Sequence, residues 1–301
     1  MDNYVINCPY YIVFLNQDCL YSSLPDGVSY HDHHIQFQNK EPIEIQLIYD
    51  LKEGNELTMS YTFFKHTQVQ VIETKLLQPQ SKLMKQYYLH DNAHVSLFSE
   101  NDVEHHESIT VSDEVHLHRD ASIQSGYAEL SNGNIQANYE YFLDGENASA
   151  KVRMAALSEN TDRKKYTVSI KHMAIATHGQ MDNYGVVKDQ GRLTIDGIGT
   201  ITKGQHGSSN HQTNKIMIFD KDCIGSANPY LFIDDFDVKA SHAAGVGKMD
   251  EDHLYYLQSR GLTKKQAMQL ITYGYLKPVV EVIDNEKLRE HFEHVLAKVG
   301  A

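Results

Sequence analysis

Short runs in which apolar and polar residues alternate dominate the chain from residue 1 to about residue 245. A period of two places every second side chain on the same face of an extended strand, and Gly, Asn or Asp separates one run from the next. No amphipathic helical period competes with it there. The pattern predicts a mainly β fold of many short strands, as in a sandwich, a barrel or a solenoid. The clearest alternating apolar positions are Ile43, Ile45, Leu47, Val69, Val71, Val168, Ile170, Leu193, Ile195, Ile216, Ile218, Leu231 and Ile233.

The pattern changes from strands to helices near Met249. A tail of roughly fifty residues follows, which is too short for a large core of its own. We therefore expect it to pack on the β body or on a partner. The change of pattern predicts a β core domain of residues 1–248 and a small helical domain of residues 249–301.

The first predicted helix begins in the acidic run 250–252, because carboxylates accept from the free N–H groups of a helix N-terminus. Leu254 and Leu257 would form its buried face, and Gly261 fits a left-handed stop.

A second helix is predicted to start at Thr263, with Gln266 in capping-box spacing, and to run to Gly274. Its interior contains Ala267, Leu270 and Ile271. A third helix is predicted from Asp284 onward. Its apolar stripe would consist of Leu288, Phe292, Val295 and Leu296.

Composition narrows the classes of function. The 301 residues carry 27 Lys+Arg against 40 Asp+Glu, a formal net charge of −13. An acidic chain lacks the clustered cations that a nucleic-acid backbone requires, so we predict no nucleic-acid partner. Three scattered cysteines, Cys8, Cys19 and Cys223, predict neither a disulfide framework nor a Cys-rich zinc module. No run of apolar residues is long enough to span a membrane, so we expect a cytoplasmic protein.

Two glycine-containing runs fail as phosphate-binding motifs. In a phosphate loop ending at 245–248, the first glycine would fall on His242, and Met249 stands where Ser or Thr is required. A dinucleotide motif beginning at 197–199 would need its third glycine at Thr202. The chain is therefore predicted to bind neither ATP nor a dinucleotide by these routes.

Histidine is abundant, with 18 residues, and raises the question of a metal site. His116 and His118 are two apart and would share one face of a strand, so a third ligand from a neighbouring strand could complete a metal site. One hypothesis is therefore a stand-alone metal-dependent all-β enzyme. The simpler alternative is that these are exposed strand and loop residues.

Cys223 and His242 form a second pair of candidates. Cys223 follows an apolar strand and could be a small buried side chain, and His242 could be an ordinary residue at the rim of a strand. A thiolate and an imidazole on successive rungs of a solenoid would suit iron or zinc. Their spacing alone leaves both interpretations open.

The segment 206–262 resembles the SufB/SufD family of iron–sulfur cluster assembly scaffolds, and SufD more than SufB. The residues that carry the resemblance are His211-Gln212-Thr213-Asn214, Ala227-Asn228-Pro229, the stretch 237–247 and the stretch from Leu254 to Gly261. The resemblance implies a right-handed parallel β-helix, or β-solenoid, with a C-terminal helical domain.

The resemblance also implies a scaffold subunit without catalytic activity of its own. Such a subunit pairs with a SufB-like β-helix subunit in a cytoplasmic complex, or forms a homodimer in isolation, and docks a SufC-like ABC ATPase through its helical domain. No cofactor is tightly bound, and an iron–sulfur cluster is held transiently at the interface between the two β-helix subunits. The docking residues would be Leu254, Tyr255, Leu257, Arg260, Leu270, Tyr273 and Tyr275.

Two site residues are carried over from the family pattern. His242 matches the SufD histidine implicated in cluster assembly and would bind iron transiently, and Cys223 occupies the position of the sulfur-handling cysteine of SufB. Ala243 replaces the glutamate that follows this histidine in SufB, which favours SufD, and Ala240 replaces a cysteine found in many SufD chains. A purely structural partner that activates the ATPase, with His242 inert, is the remaining alternative.

Overall fold

The computed structural model describes residues 8–278, together with Ile6 and five isolated positions of the C-terminal tail. The side chains of residues 104–106 are outside the described part. The third predicted helix also falls outside it, apart from isolated positions that include Leu296, which is buried.

Nineteen strands and two helices make up the described part of the chain. In chain order they are β1 Tyr11–Leu15, β2 Asp18–Ser23, β3 Val28–His31, β4 His34–Phe37, β5 Ile43–Leu51, β6 Glu56–Phe63, β7 Gln68–Leu77, β8 Lys82–Leu89, β9 His94–Asp102, β10 Glu104–Leu117, β11 Ser122–Glu129, β12 Asn132–Leu143, β13 Ser149–Ser158, β14 Arg163–His172, β15 His178–Val187, β16 Arg192–Ile201, β17 Ser209–Ile218, β18 Ile224–Ile233, β19 Lys239–Lys248, α1 Glu251–Ser259 and α2 Lys264–Leu276. Every alternating apolar position named above lies in one of these strands, so the predicted mainly β fold is confirmed.

The strands form two sheets, and from β4 onward consecutive strands alternate between them. Sheet A has the order β19-β17-β15-β13-β11-β9-β7-β5-β1-β2, and sheet B has the order β18-β16-β14-β12-β10-β8-β6-β4-β3. From β4 onward neighbouring strands are parallel, and each coil takes 26 to 32 residues, as shown by Gln68 beside His94 and Arg192 beside Ile224. The β-solenoid is therefore confirmed. Its right-handed sense stays a prediction, which the preference for right-handed parallel crossovers favours.

The inward positions of successive coils stack along the solenoid axis. Because parallel strands keep one register, each side chain lies over its counterpart of the coil before. Phe37 stacks on Phe63 with ring centroids 4.5 Å apart, and Tyr61 stacks on Tyr87 at 4.6 Å. These stacked rings and the aliphatic side chains around them form the main core between the two sheets.

The two ends of the solenoid differ. At the N-terminal end, β2 pairs antiparallel with β1 and β3 pairs antiparallel with β4, so each sheet ends in a short antiparallel edge strand. At the C-terminal end, β18 and β19 are the last strands, and within residues 8–278 nothing pairs with their outer edges. Leu231 and Ile233 lie in β18 as predicted, but Ile233 is exposed because no further coil covers it.

Both described helices begin where the sequence predicts. The Asp250 side chain accepts from the N–H of Asp252 to cap α1, and Thr263 and Gln266 form a capping box on α2. Leu254 and Leu257 form the least exposed face of α1, as predicted, but both are only half-buried and no residue of α1 is fully buried. The physical reason is that α1 packs on α2, at the surface, and lies outside the core.

The second helix attaches the C-terminal unit to the outer face of sheet A. Leu276 is fully buried in a second apolar cluster with Phe98 and Val186. Arg153 adds a polar link, because its Nη1 donates to the carbonyl oxygen of Pro278 at 2.8 Å. The helical unit therefore contacts the β body along its side and leaves the open end uncovered by α1 and α2.

Candidate functional site

His242 lies on β19, the last strand of sheet A. Its register partner in β17 is Gln212, whose side chain points into the solenoid and is buried. Parallel register partners face the same side of a sheet, so His242 projects at the open mouth of the solenoid. The residue is exposed because no coil follows. The imidazole is therefore accessible from the open end of the solenoid.

Cys223 lies in the turn between β17 and β18. It is half-buried, and its Sγ contacts the carbonyl oxygen of Asp189 at 3.6 Å. Burial raises the pKa of the Cys223 thiol, and the nearby carboxylates of Asp220 and Asp189 act in the same direction. The residue is therefore a protonated thiol at neutral pH, which is a weaker ligand and nucleophile than a thiolate.

The structure does not bring Cys223 and His242 together. Cys223 is two residues from Gly225, where a Cβ would lie 3.4 Å from Val246. Val246 is four residues beyond His242 along β19, which is about 13 Å in a strand. The two residues thus occupy opposite parts of the last coil. In the described residues no three His, Cys, Asp or Glu side chains come together in a group that could hold a metal ion.

Amide side chains fill the solenoid next to His242, a feature that the sequence analysis missed. Asn210, Gln212 and Asn214 are inward residues of β17. Nε2 of Gln212 donates to the carbonyl oxygen of Tyr230 at 2.9 Å, and Nδ2 of Asn214 donates to that of Asn228 at 3.3 Å. These hydrogen bonds tie sheet A to the last strand of sheet B. The sequence signal that could have revealed these inward amides is the presence of polar residues at every second position of the strand.

Five exposed apolar residues lie on the last coil and in its loop. Tyr230, Phe232, Ile233, Phe236 and Val246 are all exposed. Isolated exposed apolar residues are ordinary, whereas a contiguous group beside unpaired strand edges is typical of a protein interface.

The predicted docking residues of the helical unit fall into two groups. Tyr255 has 75% of its surface exposed, and Leu270 is also exposed. Arg260 is exposed, and Leu254 and Leu257 are half-buried.

The other two predicted docking residues contact the β body. Tyr275 meets Tyr184 of β15 edge to face at 6.0 Å, and burial raises the pKa of Tyr275 to about 12. Tyr273 packs against the same apolar cluster.

The pair His116 and His118 does not form the metal site of the alternative hypothesis. Nδ1 of His116 is 2.7 Å from Asp144 and Nε2 is 3.0 Å from Glu114, so both ring nitrogens already have partners. The ring of His118 stacks on His90 at 5.4 Å. Within the part of the chain that is described, these two residues acquire no third ligand.

The runs that failed as phosphate-binding motifs are strands. Residues 245–248 belong to β19, and residues 197–199 belong to β16. Neither forms the loop before a helix that a phosphate group requires. None of the described helices has the length and apolar character to cross a bilayer.

Comparison with known proteins gives one family. Residues 60–275, more than two thirds of the chain, match the profile described as SUF system FeS cluster assembly, SufBD core domain. The SufD protein of Bacillus subtilis is 31% identical over 180 residues, covering 60% of this chain and 41% of the relative. The SufD protein of Escherichia coli is 26% identical over 207 residues, covering 69% and 48%.

A SufB protein is similar over a shorter region. That of Bacillus subtilis is 25% identical over 144 residues, which covers 48% of this chain and 31% of the relative. The chain spans less than half the length of each of these three relatives. The profile match and the three alignments show that the chain belongs to the SufB/SufD family of iron–sulfur cluster assembly proteins and is most like SufD.

Proposed function

We propose that this chain is a non-catalytic SufD-like scaffold subunit of a cytoplasmic iron–sulfur cluster assembly complex. It pairs with a SufB-like subunit through the open end of its solenoid and docks a SufC-like ABC ATPase through its helical unit. ATP hydrolysis comes from that partner, which is in keeping with the absence of phosphate-binding motifs at residues 197–199 and 245–248.

The open C-terminal coil is the observation that carries this proposal. The free edges of β18 and β19 offer unpaired N–H and C=O groups, and such edges pair readily with another strand. At the opposite end the edge strands β2 and β3 have only six and four residues, whereas β18 and β19 have ten each, so the C-terminal end offers the longer edges to a partner.

His242 is the residue of this end that we propose to hold a nascent cluster. It lies on the edge strand itself and is exposed. The cluster is the cargo of the complex and passes on to other proteins. Cys223 is the weaker candidate, because its thiol is protonated and lies far from His242. Ligands from the SufB-like partner would complete the coordination.

The first test compares cluster assembly by the reconstituted three-subunit complex. We expect His242→Ala to lower the yield of cluster formed from iron and sulfide by at least fivefold, read from visible absorption. His211→Ala is the matched control, because His211 lies on the neighbouring strand β17 and faces outward, with its ring bonded to Ser241. An undiminished yield with His242→Ala would remove the proposed role and favour the structural alternative in which His242 is inert.

The docking of the ATPase rests on the exposed residues of the helical unit. Tyr255 and Leu270 are exposed apolar residues, and Arg260 lies 5.1 Å from the ring of Tyr256. Tyr273 and Tyr275 contribute indirectly by fixing α2 on the body.

The second test measures that docking. We expect the double variant Tyr255→Ser and Leu270→Ser to abolish co-purification with the SufC-type ATPase. The control is Met84→Ser, an exposed apolar residue on sheet B. Retained binding by the double variant would place the contact elsewhere.

A further inference from the structure

One apolar residue at the open end is exposed far more than its neighbours. Phe236, in the loop between β18 and β19, has 93% of its surface exposed. No other large apolar side chain in the described part of the chain is as exposed. Leaving a phenyl ring in water is unfavourable, so the exposure calls for an explanation.

The loop that carries Phe236 is held rigidly against the preceding coil. The side chain of Asp235 is only 2% exposed, and its oxygens accept the N–H groups of Gly204 at 2.8 Å and Asp237 at 3.1 Å. The same carboxylate lies 3.3 Å from Nδ1 of His206.

Backbone hydrogen bonds hold the loop on both sides of Phe236. The N–H of Asp234 donates to the carbonyl oxygen of Ile201 at 2.9 Å, and the carbonyl oxygen of Asp237 accepts from Gly207 at 2.8 Å. A side chain presented by a fixed loop loses little conformational entropy on binding. The loop therefore displays Phe236 in the manner of a preorganised contact residue.

Charge and position indicate the kind of surface that Phe236 fits. Asp234 and Asp237 are exposed on either side of it, so a complementary site is apolar with a basic rim. Phe236 follows the exposed Phe232 and Ile233 of β18 by four and three residues and lies three residues before β19. A partner that extends the two sheets would therefore also cover this loop.

We infer that Phe236 anchors the partner subunit by inserting into an apolar socket rimmed by Lys or Arg on the end coil of a SufB-like solenoid. This inference rests on the pairing of solenoids under Proposed function. It adds to the pairing one residue outside the strand edges, Phe236, and predicts that the affinity for the partner depends on this residue. Buried aromatic residues of this kind carry a large share of the binding energy in protein interfaces.

The ends of β19 argue against a second copy of this chain as the occupant. Two identical strands related by a two-fold axis pair antiparallel. Overlap of two copies of the ten-residue strand β19 then brings the acidic loop of residues 234–237 of each copy close to the acidic run 250–252 of the other. Like charges that face one another destabilise such a pair. A partner that carries Lys or Arg beside this loop avoids the penalty.

The experiment measures affinity for the SufB-type subunit of the source organism by titration calorimetry. Phe236→Ser should raise the Kd about 30-fold, the effect typical of a hot-spot residue. Met84→Ser, an exposed apolar substitution on sheet B, should leave the Kd unchanged. Thermal melting of each isolated variant checks its fold, which an exposed side chain should not alter.

The remaining outcomes separate the two proposals. If the wild-type chain binds and Phe236→Ser binds equally well, the anchor is wrong and the solenoid pairing stands. If the wild-type chain does not bind the SufB-type subunit, the pairing itself fails and the anchor with it. If sedimentation shows a wild-type homodimer that Phe236→Ser dissociates, the occupant is a second copy and the assignment to a SufB-like partner is overturned.

Discussion

A network of five charged side chains lies inside the solenoid, where apolar residues are the rule. Glu73, Lys75, Lys85, Asp113 and Glu129 are all buried, and each lies close to an oppositely charged member of the set. Lys85 contacts Glu73 and lies 3.3 Å from Asp113, and Lys75 lies 3.5 Å from Glu129. Such a network gives little net stability but is strongly destabilising when one member is removed.

Tyrosine hydroxyls complete the network. Tyr87 donates to Glu73 at 2.6 Å, and Tyr139 donates to Glu129 at 2.6 Å. Burial by itself would raise the pKa of Glu73, but the ammonium groups of Lys85 and Lys75 outweigh it and hold the pKa below its usual value. Glu73 therefore remains ionised inside the solenoid.

Lys85→Met should be among the most destabilising substitutions in the chain. It removes the cation that faces two buried carboxylates, so we expect a loss of about 3–5 kcal/mol in the free energy of unfolding, measured with urea. Lys82→Met is the matched control, since Lys82 lies on the same strand and pairs with Glu56 at the surface. Equal losses for the two variants would contradict the structural role of the buried network.

His172 is a buried residue whose protonation should control acid stability. Its Nδ1 lies 2.8 Å from the hydroxyl of Thr177, and burial lowers the pKa of His172 to about 4. The unfolded chain binds a proton near pH 6.5 and the folded chain only near pH 4. The contribution of neutral His172 to the free energy of unfolding is therefore fully present above about pH 6.5. The free energy of unfolding falls by up to about 1.4 kcal/mol per pH unit as the pH drops toward 4.

His172→Gln should flatten this decline, because glutamine does not ionise. The measurement is the free energy of unfolding at several pH values between 7 and 5. His211→Gln, an exposed substitution on β17, should follow the wild-type profile. Parallel profiles for His172→Gln and the wild type would contradict the prediction.

At the scale of the elements, close contact between β16 and β17 determines which residues the last coils accept. Gly197 and Gly199 are inward residues of β16 that face the amides of β17 across the interior. A Cβ on Gly199 would lie 1.7 Å from Nδ2 of Asn210, and one on Gly197 would lie 2.6 Å from Nδ2 of Asn214. The glycines thus make room for the polar side chains that fill this part of the solenoid.

Gly199→Ala should destabilise the isolated chain by about 1–3 kcal/mol, the usual cost of overpacking. Asn210 cannot move aside easily, because it is fully buried and also packs on Gly179. Adding Asn210→Ala should restore part of the loss. Gly247→Ala on β19 is the control, since nothing lies within 4 Å of a Cβ there. If Gly199→Ala left the free energy of unfolding in urea unchanged, β16 and β17 would be able to move apart without penalty, contrary to the prediction.

At the scale of the whole molecule, the helical unit and the open end are separate surfaces. The unit lies on the outer face of sheet A through Leu276 and Tyr275, while His242 and Phe236 are at the last coil. The proposed docking of an ATPase along the side and the proposed pairing with a second solenoid at the end therefore do not compete for the same surface.

Leu276→Ala should loosen the helical unit without unfolding the solenoid. Loss of a fully buried leucine costs about 2–4 kcal/mol. We expect faster amide hydrogen exchange throughout α2, and unchanged exchange in β5 to β15. Leu270→Ala, an exposed position of the same helix, is the control. Unchanged exchange in α2 would mean that contacts other than Leu276 hold the unit in place.

Much of the architecture follows from local features of the chain. Alternation at Ile43, Ile45 and Leu47 predicts a strand because side chains two apart share a face, and the structure has β5 there. The capping residues Asp250 and Thr263 predict both helix starts, since their hydrogen bonds involve residues only two or three positions away. The motifs of the family likewise lie within short stretches.

The sequence by itself thus determined the strands, the helix starts, the family and the candidate His242. Only the tertiary structure decided the solenoid register, the open end, the separation of Cys223 from His242 and the exposed position of Phe236. The physical reason is distance along the chain. A strand or a cap depends on residues a few positions apart. Neighbours on successive coils of the solenoid are 26 to 32 residues apart, and the identity of each neighbour depends on the length of every intervening turn.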